Sequence, residues 1–188
     1  NLDVEGLLKG LYHFATPPEG VASEAPRVQL LASGVAFPWI QKAQKLLAED
    51  WGVAADIWSV TSWNELARDA VAAEEWNLLN PSAEPRHAYV ADKLKDVAGP
   101  VVAVSDYQAA VPLQLARWIP RDYRVLGTDG YGFADTRPAA RRYFHVDAES
   151  VVVQALQALA DDGKVSRDLV QKALDTYRID DPTAVSGV

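Results

Sequence analysis

The sequence predicts an α/β fold: three layers, a mostly parallel five-stranded sheet with one antiparallel edge strand, and helices on both faces. Three observations carry that expectation. Short, nearly continuous apolar runs recur at 28–32, 55–60, 101–104 and 124–126, as strands covered on both sides require. Stretches of helical periodicity separate these runs, and a strand–helix–strand connection forces parallel pairing. The run "GLYHFA" at 10–15 leads instead straight into the proline loop "ATPPEG", which suits an antiparallel strand at the sheet edge.

The elements follow in order. The run at 28–32 ends at Ser33 and Gly34, and a helical pattern then passes through Trp39, Ile40, Ala43, Leu46 and Leu47. Gly52 closes it, as a glycine past a helix C-terminus commonly does. After the strand at 55–60, Ser62 stands three residues before Glu65. In that capping-box spacing each side chain meets a free backbone amide. The helix so opened is expected to bury Leu66, Ala70, Ala73 and Leu78. A second proline loop, "NPSAEP" at 80–85, precedes the strand at 101–104. A helix over about 107–117 is expected before the strand at 124–126. Pro138 sits at a good first helical position, and helices over about 148–161 and 167–177 follow. Ser166 caps the last, which carries the stripe Leu169, Val170, Ala173, Leu174 and Tyr177. Residues 1–26 read as a linker and edge strand, 27–180 as the domain and 181–188 as a tail.

Composition narrows the function classes. The 188 residues suffice for one well-cored domain. With 26 acidic against 18 basic residues the net charge is −8. A surface of that sign repels nucleic acid and anionic lipid, so neither is an expected partner. No apolar run approaches the roughly 20 residues of a membrane helix. Cysteine is absent, which excludes disulfides, thiolate metal sites and cysteine nucleophiles. A reducing compartment fits, and the cytoplasm is the expected location. Methionine is also absent, the first residue included, so the chain reads as a piece of a longer polypeptide.

In a doubly wound sheet, ligands sit beyond the C-terminal strand ends. Four segments reach that edge: Ser33–Gly34, Thr61–Ser62, Ser105–Asp106–Tyr107 and the glycine-rich "VLGTDGYGFADTR" at 125–137. The glycines of the last, at 127, 130 and 132, do not match dinucleotide spacing, and no P-loop lysine follows. Asp129 and Asp135 would set negative charge where a phosphate belongs. A capped turn with positive-φ positions is the stronger reading. A rigid loop pressed against another domain or subunit suits the exposed aromatics Tyr131 and Phe133. The three histidines (13, 87 and 145) lack metal-ligand spacing and any nucleophile-elbow serine, so structural or solvated roles are expected. Arg137, Arg141 and Arg142 read as a solvated face or as ion-pair partners, with docking of an acidic partner as the sharper alternative. The six tryptophans fit core and interface burial better than a stacking platform.

Several stretches, in order, resemble one family. They include "VQLLASGVAFPWIQKAQKLLAEDWGVAADIWSVTSWNELARDA", "EEWNLLNP", "YVADKL", "VSDYQAAVPLQLARWIPRDYRVLGTDGYGFADTR" and "YFHVDAESVVVQALQALADDGKV". The most specific are "DIWSVTS" at 56–62 with "NELARD" at 64–69, and "YRVLGTDG" at 123–130. Together they resemble the C-terminal domain of homodimeric-type pyruvate dehydrogenases, over about residues 27–180. Even the leading "KGLYHFAT" fits the approach to that domain.

That resemblance implies a transketolase-like C-terminal fold within a chain of three α/β domains. It implies thiamine diphosphate and magnesium as the parent enzyme's cofactors, held between its first two domains across a dimer interface. None of those binding motifs maps onto this sequence, so no catalytic, cofactor-binding or metal residue is expected here. The implied partners are the other domains, the homodimer mate and the dihydrolipoamide acetyltransferase component. The third domain then serves dimer packing and active-site support, for which Asp106, Tyr107, Asp129, Tyr131, Phe133, Asp135 and Arg137 are the candidates. Two alternatives stand beside this: a scaffold or assembly module only, and an independent flavodoxin-like nucleotide binder, favoured solely by the doubly wound pattern.

Overall fold

The computed structural model describes residues 3–181. Among them five strands form one sheet: β1 (Leu11–Ala15), β2 (Arg27–Ala32), β3 (Ala54–Val60), β4 (Val101–Val104) and β5 (Tyr123–Leu126). Their spatial order is β1-β3-β2-β4-β5. The pairs β2–β3, β2–β4 and β4–β5 are parallel, whereas β1 runs antiparallel to β3 at the edge. All five expected strands are present, the edge strand included.

Among the described residues eight α-helices complete the layers: α1 (Val4–Lys9), α2 (Phe37–Trp51), α3 (Trp63–Leu79), α4 (Tyr89–Leu94), α5 (Ala110–Leu113), α6 (Arg137–Tyr143), α7 (Ala148–Asp161) and α8 (Arg167–Tyr177). The chain steps from β2 to β3 through α2, then back across β2 to β4 through α3 and α4. Right-handed crossovers in opposite directions place their helices on opposite faces. The core divides accordingly. Val28, Leu30, Ile57, Val102 and Val104 pack with α2, α7 and α8, while Leu31, Trp58, Val101 and Ala103 pack with α3 and α4. Neighbouring strand residues thus feed two separate cores, which is why the strands read as unbroken apolar runs.

Local chemistry sets the helix ends. Ser62 Oγ accepts the Glu65 N–H at 3.1 Å, Asp147 caps α7 and Ser166 caps α8. Gly52, at φ 62°, closes α2 in the left-handed conformation.

Three details depart from expectation. The helix over 107–117 shrinks to the four residues of α5; Pro112 in its first turn removes only the bond back to Gln108, on the N-terminal side. Beyond it Leu115 and Trp118 close three-residue turns instead. Leu78 is 78% exposed. Five residues past Ala73 on a 100° period, it has rotated off the buried stripe. Helices α1 and α4 are additional elements. The proposed tail, apart from Asp181, lies outside the described residues.

Candidate functional site

Between β2 and β4 the strand order reverses, and their C-terminal ends open a crevice at that switch point. Ser33 and Ser105, one past each strand, face each other with hydroxyls 3.4 Å apart, and Trp63 Nε1 donates to Ser33 Oγ at 2.9 Å. Both serines are buried, so they seal the floor of this edge.

Above that floor the loops after β4 and β5 are zipped together. The Thr128 N–H donates to the Tyr107 carbonyl at 2.9 Å, and Thr128 Oγ1 donates to the Asp106 carbonyl at 2.5 Å. Asp129 Oδ1 accepts the Ala109 N–H at 2.9 Å. Gly127 makes this closeness possible: a Cβ there would stand 2.6 Å from Ala109 N and 2.8 Å from the Tyr107 oxygen. Gly130 and Gly132, at φ 92° and 89°, then turn the chain outward through left-handed conformations that favour glycine. Asp135 accepts its neighbour's N–H at 2.6 Å, and Thr136 caps α6.

The seven predicted site residues therefore divide. Asp106, Tyr107 and Asp129 share the zipped loops. Phe133 stacks on Tyr143, centroids 4.4 Å apart and rings 10° from parallel. Tyr131 stands fully exposed and Arg137 is exposed at the first turn of α6. Asp135 acts within its own turn. Asp129 spends its hydrogen bond inside the chain, on the Ala109 N–H. Tyr143 and Tyr107, 52% and 56% exposed, extend the aromatic surface.

Sequence reasoning missed one feature and left a second open. Arg141 lies over the Trp39 ring, guanidinium carbon 4.5 Å from the centroid, at the mouth of an apolar cleft of about 190 Å³. Nothing in the spacing of residues 39 and 141 signals that contact. Arg142, third of the basic cluster, is 1% exposed and belongs to the ion-pair reading, not the solvated face. Its Nε donates to Asp147 at 2.5 Å, Glu149 lies 3.6 Å away, and its Nη1 donates to the Tyr177 carbonyl. The nearby acids at 147 and 149 were the available signal.

At the opposite sheet edge Asp56 is 5% exposed. It accepts two bonds from Arg27, at 2.6 and 2.9 Å, and one from Gln29 at 3.1 Å, with His13 Nε2 at 3.2 Å. Burial raises its pKa, but the Arg27 and His13 contacts outweigh that and hold it below the ordinary value. His13 thus has the structural role expected of it. The site does not fit a diphosphate–metal group. Carboxylates of residues 106, 129 and 135 stand around the glycine loop, and among the described residues no three His, Asp or Glu side chains cluster as metal ligands.

The family model of the transketolase-like TK C-terminal domain matches residues 10–147. The chain belongs to that family. Against the transketolase-like C-terminal domain, the model's match begins at the residue before β1, so the edge strand lies inside it. The chain is 55% identical over 184 residues to the "Pyruvate dehydrogenase E1 component" of Mycolicibacterium smegmatis, covering 98% of this chain and 20% of that protein. The proteins of the same name from Mycobacterium tuberculosis and Escherichia coli K12 are 50% and 42% identical. They cover 98% and 94% of this chain and 20% and 19% of their own lengths. The chain thus spans about a fifth of the length of the curated relatives it matches. A Pichia stipitis transketolase, solved with xylulose 5-phosphate, superposes with a TM-score of 0.52 at 19% identity, over 85% of this chain and 19% of that one. At that identity the likeness shows the fold.

Proposed function

We propose that this chain is the C-terminal domain of a thiamine-diphosphate- and magnesium-dependent pyruvate dehydrogenase, and that it packs the dimer and supports the active site without catalysing a step itself. The observation that carries the reading is the 55% identity running almost end to end with a protein of that name. In this reading the whole enzyme decarboxylates pyruvate and passes the acetyl group to lipoyl groups of the dihydrolipoamide acetyltransferase component, in the cytoplasm. The cofactor, held by the other domains, supplies the electron sink for decarboxylation. This chain supplies a shaped contact surface. Its exposed aromatics, Tyr107, Tyr131, Phe133 and Tyr143, stand at the sheet edge where another domain or the dimer mate would seat. Asp106, Asp129, Asp135 and Arg137 frame that surface.

The isolated chain, given thiamine diphosphate, magnesium and pyruvate, should release no carbon dioxide, and release would overturn the assignment of chemistry to other domains. In the longer polypeptide, replacing Tyr131 and Phe133 by Ala should raise the dimer dissociation constant by about tenfold, as loss of an aromatic anchor does. An unchanged constant with lost turnover would move the loop to the active site, and no change in either would remove its role.

A further inference from the structure

Helix α1 wears its amphipathic pattern inside out. Val4, Leu7 and Leu8 fall at the i, i+3, i+4 spacing of one helical stripe, which in a surface helix faces the core. Here they are 58%, 37% and 71% exposed, and Gly6 is the residue that turns inward. Close approach holds it there: a Cβ at Gly6 would stand 2.8 Å from both the Leu11 carbonyl oxygen and Tyr12 Cβ. Hydrogen bonds fix the same orientation. Asp3 Oδ1 accepts the Gly6 N–H at 2.8 Å, and Thr61 Oγ1 donates to the Leu7 carbonyl at 2.7 Å. The three apolar side chains thus form a ridge on the outside of a six-residue helix. A helix so short depends on packing and not on propensity.

The position of the ridge in the fold points to what covers it. Strand β1 is antiparallel, so its first residue, Leu11, lies beside Val60, the last of β3. That puts α1 on the C-terminal edge of the parallel strands, which also carries Val35, Tyr107 and Tyr131 with more than half of their surface exposed. The chain spans about a fifth of the length of its curated relatives. In the reading of the chain as a C-terminal domain, on which this proposal rests, the remaining length lies upstream and enters through Asp3 into α1. A tether that short holds its two ends at millimolar effective concentration or above, so the upstream polypeptide outcompetes a separate molecule for the ridge. We propose that Val4, Leu7 and Leu8 seat on an apolar surface of the domain that precedes this one in the same polypeptide. Helix α1 is then an interdomain clamp and not a passive linker.

Hydrogen exchange of the α1 amides, measured on this chain and on the longer polypeptide, tests the clamp. Residues 7–10 should exchange at least about tenfold faster in the chain alone. The double variant Val4→Gln, Leu8→Gln keeps reasonable helix propensity and removes the ridge. In the longer polypeptide it should erase the protection. In the chain alone, where both side chains already meet water, the melting temperature should stay within about 2 °C. Equal exchange in the two proteins overturns the proposal. So does a variant that melts much lower in the chain alone, since the ridge would then belong to this domain's own packing. Protection that vanishes on dilution of the longer polypeptide to monomers overturns it as well, by giving the ridge to the dimer mate. Pyruvate decarboxylation by the longer polypeptide separates the two readings. A protein that protects α1 yet releases no carbon dioxide fails the enzyme reading alone, and one that turns over with α1 unprotected fails the clamp alone.

Discussion

Asp56 shows how one residue can decide the register of an edge. It lies on β3 opposite Gln29 of β2, and its carboxylate gathers Arg27, Gln29 and His13 from the two adjacent strands. Trp58 Nε1 donates to Gln29 Oε1 at 2.8 Å, and the Gln29 amide also reaches the Ala98 carbonyl at 2.9 Å, so every member of the network has a partner. A network satisfied in this way tolerates no half-removal. Asp56→Asn should cost about 2 kcal/mol near neutral pH, less than a fully buried pair because Arg27 can turn to water. The folded carboxyl titrates below its ordinary 3.8, so its contribution is present above that value and fades as pH falls through it towards the lower folded value. Urea unfolding from pH 7 down to pH 3 checks this: the gap between wild type and Asp56→Asn should narrow on acidification. A gap independent of pH would mean that the charge does not stabilise.

At the scale of elements, Arg142 welds three helices. It projects from α6, bonds the Asp147 cap of α7 and reaches the last carbonyl of α8 at Tyr177. Trp51 Nε1 donates to the Tyr177 hydroxyl at 2.9 Å, which ties the same helix end to α2. Glu149 accepts from Lys42 of α2 at 2.8 Å. Removing Arg142 leaves two buried carboxylates without their shared cation. Arg142→Ala should therefore cost about 3–5 kcal/mol, whereas Arg141→Ala, one residue away and half-exposed, should cost about 1 kcal/mol or less. Guanidinium unfolding of the two variants gives the comparison, and similar losses would contradict the weld. How little of this was legible is instructive. Three arginines within six residues look alike in sequence. Which of them turns inward depends on where α7 begins and where α8 ends.

For the whole molecule, the edge strand decides whether the domain stands alone. Leu11 is fully buried, its carbonyl accepts the Tyr89 hydroxyl at 3.1 Å, and β1 covers the outer edge of β3. A chain trimmed to 27–181 would expose that edge and the Trp58 and Val60 face behind it. Uncovered edges pair with other chains. We expect such a truncation to aggregate, or to lose its cooperative unfolding, while a chain starting at residue 3 remains monodisperse. Light scattering and thermal melts of the two distinguish the outcomes, and equal behaviour would make β1 dispensable.

What the sequence alone determined is whatever follows from near neighbours. Strand runs, Ser62 and Ser166 as caps, Gly52 as terminator and the absence of phosphate-loop spacing are all local, because periodicity and hydrogen bonds within a few residues control them. Tertiary structure decided the rest. It set Arg141 over Trp39 across a hundred residues of chain and closed the Gly127 loop onto residue 109. Those contacts depend on which strand lies beside which. The crossover from β3 past β2 to β4 makes that choice, and one-dimensional spacing carries no record of it.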